Sequence, residues 1–100
     1  MKKTLTIAIL TAFTLGSCAI ANPPSDSKPI SHQIWDGILK THVTDEGMVD
    51  YAAIQKDSNT LNSYLKLVKS NHPNDENWSK NQQLAYWINA YNAFTVQLII

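Results

Sequence analysis

The feature that most constrains this chain is its last stretch, Ser79 to Ile100. Leu84, Trp87, Ile88, Tyr91, Phe94, Thr95 and Leu98 recur at helical spacing, and Tyr86, Ala90, Ala93, Val96 and Ile100 fill much of the remaining circumference. A helix that is apolar nearly all round belongs in a core, wrapped by other elements. Ser79 followed by Gln82 has the spacing of a capping box and marks where this helix begins. It reads poorly as a membrane span. The apolar part is only about 17 residues long where about 20 are needed, and it carries Asn89, Asn92 and Gln97. No glycine, proline or polar residue closes it before Ile100. The pattern is therefore expected to continue, and residues 31–100 read as the front part of a truncated domain.

The other end of the chain reads as an address. Lys2 and Lys3 precede an uncharged apolar run from Thr4 to Leu15. That run has the length of an export-signal core and is too short to span a bilayer. Two cleavage readings stand side by side. Leu15-Gly16-Ser17-Cys18 has the form of a lipobox, which would make Cys18 a lipidated N-terminus. Ala19-Ile20-Ala21 fits the small-x-small rule of plain secretion and would leave Asn22 first. Residues 1–21 are thus expected to be a signal peptide, and the product is expected in the periplasm or as a membrane-anchored lipoprotein of a bacterial envelope. Residues 22–30, with Pro23, Pro24, Ser25, Asp26 and Ser27, read as a flexible tether.

Between tether and last helix the periodicity predicts a mainly α architecture of three to four helices with one short extended segment. Pro29 to His42 reads as a helix with Ser31 as its N-cap. Its apolar stripe is Ile34, Trp35, Ile38, Leu39 and His42, and Asp36 and Lys40 are spaced to pair on its wet side. Asp45-Glu46-Gly47 reads as a turn with Gly47 at positive φ. Met48 to Tyr51 reads as extended, and Tyr51 to Lys56 as one or two helical turns. Ser58 can cap a further helix that buries Leu61, Tyr64, Leu65 and Val68. Residues 71–77 read as a loop.

Composition excludes several functions. Eight lysines balance eight acids, with no arginine and only three glycines. Nothing here forms a basic stripe for nucleic acid or a phosphate-cradling loop, so neither a nucleic-acid partner nor a cofactor is expected. His32, His42 and His72 lack the spacing of a metal pair. Any membrane contact would come through the lipid anchor or the uncleaved signal. Cys18 is the only cysteine, so no nucleophile–base pair can be assembled from these residues. Trp87 and Tyr91 are expected to be core aromatics rather than a ligand platform. Asn89 and Asn92, three apart inside the apolar helix, need partners if buried, since an unpaired amide there costs roughly 1–3 kcal/mol. They would either clamp backbone groups of neighbouring loops or line a substrate pocket.

The string Leu84-Ala85-Tyr86-Trp87-Ile88-Asn89-Ala90-Tyr91-Asn92-Ala93-Phe94-Thr95 resembles the signature helix of the DUF547 family. Trp35-Asp36-Gly37-Ile38-Leu39-Lys40 and Gly47-Met48-Val49-Asp50-Tyr51, upstream, resemble it too, so the likeness covers about residues 32–100. The resemblance implies an exported bacterial protein of unknown function whose complete domain is α+β, with this helix at its centre. It also implies that a complete protein could be a thiol-dependent hydrolase or transferase. The alternative is a non-catalytic binding or scaffolding module at the membrane surface. Trp87, Asn89, Tyr91 and Asn92 match the motif and are the candidates for a pocket lining, with no catalytic role assigned to any of them.

Overall fold

The computed structural model describes residues 25–100. The expected signal peptide and the lipidation candidate Cys18 lie outside the described residues. Within them run four helices, α1 (Gln33–His42), α2 (Tyr51–Lys56), α3 (Ser58–Ser70) and α4 (Lys80–Ile99). The fold is mainly α, as the periodicity requires. The extended segment contributes a single antiparallel bridge, Val43 to Val49. It is closed by a tight turn in which the Gly47 N–H donates to the Thr44 carbonyl at 2.9 Å. Gly47 has φ +86°, the left-handed conformation a glycine adopts without strain. No helix among the described residues is long and apolar enough to cross a membrane.

Two helix starts differ from expectation, each for a local reason. α1 begins at Gln33, not Pro29. The Ser31 hydroxyl accepts from the Gln33 N–H at 3.2 Å and closes a turn of its own, so the cap position falls to His32. At α3 the cap position is Asp57 rather than Ser58, and the Asp57 carboxylate accepts from the Thr60 hydroxyl at 2.8 Å. The capping box of α4 forms as expected. The Ser79 hydroxyl accepts from the Gln82 N–H, and the Gln82 side chain accepts from the Ser79 N–H. Lys40 and Asp36 pair at 3.0 Å on the exposed side of α1, worth a few tenths of a kcal/mol, about 0.3–0.5.

The centre of the fold is α3, not the last helix. α3 packs against α1, α2 and α4. Its stripe of Leu61, Tyr64, Leu65 and Val68 is sealed from solvent, as its spacing predicts. Trp35 and Ile38 of α1 and Ile54 of α2 close over it, with the Trp35 and Tyr64 rings stacked at 6.0 Å. The last turn of α3 leaves carbonyls without helical partners, and side chains take them. Asn71 donates to the Leu67 carbonyl, the Tyr86 hydroxyl to that of Val68, and His72 Nε2 meets that of Lys69.

The segment before α1 is held to the 71–78 loop. The Ser25 and Ser27 hydroxyls both donate to the His72 carbonyl. Asn74 and the Trp78 indole N–H donate to the Ser27 carbonyl at 2.9 and 3.0 Å. The described part of the expected tether is therefore docked rather than loose. Its serines, which favour flexibility in isolation, here supply the hydrogen bonds.

Candidate functional site

α4 is apolar on most of its circumference, yet only one narrow line of it is buried: Tyr86, Ala90 and Ala93. Among the described residues, α4 is therefore not wrapped on every side. α3 covers α4 from one side, and the contact selects the line that carries two alanines. Trp87 (56% exposed) and Tyr91 (75%), expected in the core, lie at the surface with Leu84, Ile88, Leu98 and Ile99. Trp87 approaches the Tyr86 ring edge-to-face at 4.9 Å. Single exposed apolar residues are ordinary; six on one helix are not.

The buried line divides the candidate residues between two concavities. On one side a groove of about 700 Å³ runs along α4 beside the end of α3. Its walls are Val68, Lys69 and His72 of the α3 end and Tyr86, Trp87, Ala90, Tyr91, Phe94, Thr95 and Leu98 of α4. The Lys69 ammonium stands 5.6 Å above the centre of the Phe94 ring, a cation–π arrangement. On the other side, between α4, α1 and the 43–51 segment, lies a smaller hollow of about 290 Å³. Asn89, Asn92, Trp35, Leu39 and Tyr51 are among its walls.

The two amides are not buried. Among the described residues no polar side chain is sealed in the core. Asn92 is exposed and returns its amide to the Ile88 carbonyl of its own helix at 3.0 Å. Asn89 is half-buried beside Trp35 and Leu39 and clamps no neighbouring loop. Open faces of α4 keep both amides in reach of water, so no penalty forces partners on them. Trp87 and Tyr91 share one groove, and Asn89 and Asn92 share the other hollow; the four do not converge on one point.

The spacing of residues did not reveal two participants. Trp78 is buried (4% exposed) and meets the Tyr86 ring edge-on at 5.4 Å, forming the floor between the N-terminal segment and α4. It precedes the capping box by one residue, but the residue a hydrophobic staple would pair it with is the polar Gln83, so local spacing does not flag it. Lys69, an exposed lysine at a helix end, carries no sequence signal that separates it from a solvated charge.

Residues 76–100 match the family model of DUF547, a protein of unknown function. The DUF547 match is partial. It takes in Trp78, the capping box, the whole of α4 and all four motif positions, while the likeness noted for residues 32–75 lies outside it. No curated protein and no solved structure matches the chain. The DUF547 segment is thus the element that carries both the buried Trp78–Tyr86 contact and the exposed aromatic wall of the groove.

One pair near the hub responds to pH. The Tyr64 hydroxyl and His32 Nδ1 are 2.6 Å apart. Burial, reinforced by nearby Tyr86, pushes the Tyr64 phenol up to about 12, so it stays protonated and donates to a neutral imidazole. Burial also lowers His32 from its usual 6.5. Just below that value the unfolded chain binds more protons than the folded one. Stability is therefore complete above about pH 6.5 and falls as the pH drops through the folded value. Melting temperatures measured between neutral pH and mild acid should decline, and His32→Gln should flatten that decline.

Proposed function

We propose that this chain is an exported protein of the bacterial envelope whose helical domain works by binding, with the open face of α4 as its contact surface. The observation that carries the reading is the exposure of Trp87, Tyr91 and Leu98 along a concave wall. Concave, mostly apolar surfaces with a few placed polar groups are the usual form of ligand sites. Export is supported by Lys2-Lys3, the apolar run Thr4 to Leu15 and the two cleavage sequences that follow. Anchoring through Cys18 would place the domain at the membrane surface; cleavage after Ala21 would release it into the periplasm.

The thiol-dependent hydrolase or transferase reading rests on the DUF547 resemblance. Residues 25–100 contain no cysteine, and no candidate residue in the grooves is paired with a general base. A mechanism-based thiol probe that labels a cysteine of the full-length protein outside residues 1–100 would favour catalysis over binding.

Intact mass and N-terminal mapping of the protein recovered from cell fractions test the address. A mature chain beginning at Cys18 with added lipid mass, or at Asn22 without it, supports export. An unprocessed chain that begins at Met1 in the cytoplasm refutes it. Trp87→Ser together with Tyr91→Ser should leave folding intact and abolish binding.

A further inference from the structure

We draw no further inference here: the strongest candidate, the apolar groove between the end of α3 and the open face of α4, carries nothing further because nothing in the structure shows what covers it.

Discussion

Tyr64→Ala should bring the domain to the edge of unfolding or beyond it. Tyr64 is fully buried in the helix on which the other three pack. Its ring stacks on Trp35 and its hydroxyl bonds His32. Truncating a large buried aromatic costs about 3–5 kcal/mol. A domain of this size has a total stability of only about 4–11 kcal/mol. Urea unfolding followed by near-ultraviolet circular dichroism should show a midpoint moved far toward zero denaturant, or no transition. Tyr64→Phe keeps the ring and loses one hydrogen bond, so it should cost only about 1 kcal/mol. Similar midpoints for Tyr64→Ala and the parent would mean that α3 is not the hub.

Trp78→Ala and Trp87→Ala should have opposite consequences although they remove the same side chain nine positions apart. Trp78 is buried against Tyr86, and its indole N–H holds the Ser27 carbonyl. Its loss removes core volume and frees the 25–27 segment together, at about 3–5 kcal/mol. Each kcal/mol is worth roughly 4–8 °C in a domain this small, so calorimetry should show a drop of well over 10 °C. Trp87 gives up an edge contact on an open surface. Its loss should fall within about 1 kcal/mol, the worth of an aromatic pair. Equal losses of melting temperature would place Trp87 in the core and contradict the surface described here.

What was legible in the sequence follows from where each signal lives. The α3 stripe, the Ser79 capping box, the Gly47 turn and the Asp36–Lys40 pair all depend on residues within four positions of each other, and all form as read. The burial of α4 depends on how many neighbours reach it, and spacing alone does not count neighbours. Its pattern offered two apolar lines. Together they read as a helix wrapped on every side, yet among the described residues α3 packs only on the line with Tyr86, Ala90 and Ala93. Once that choice is made, the two asparagines turn toward open hollows and their burial penalty vanishes. The docked N-terminal segment was hidden for a similar reason. Ser25 and Ser27 bond partners some 45 to 51 residues away, a separation that local turn chemistry does not encode. The DUF547 likeness singled out α4 but said nothing about which side of it faces outward.

Hydroxyl-radical footprinting of the mature protein, read residue by residue by mass spectrometry, tests that outward face most directly. Trp87 and Tyr91 should oxidise rapidly while Trp35, Trp78 and Tyr64 stay protected. Trp87 and Tyr91 as slow to oxidise as Trp35 in the unliganded protein would show that the groove wall is covered, and would contradict the account.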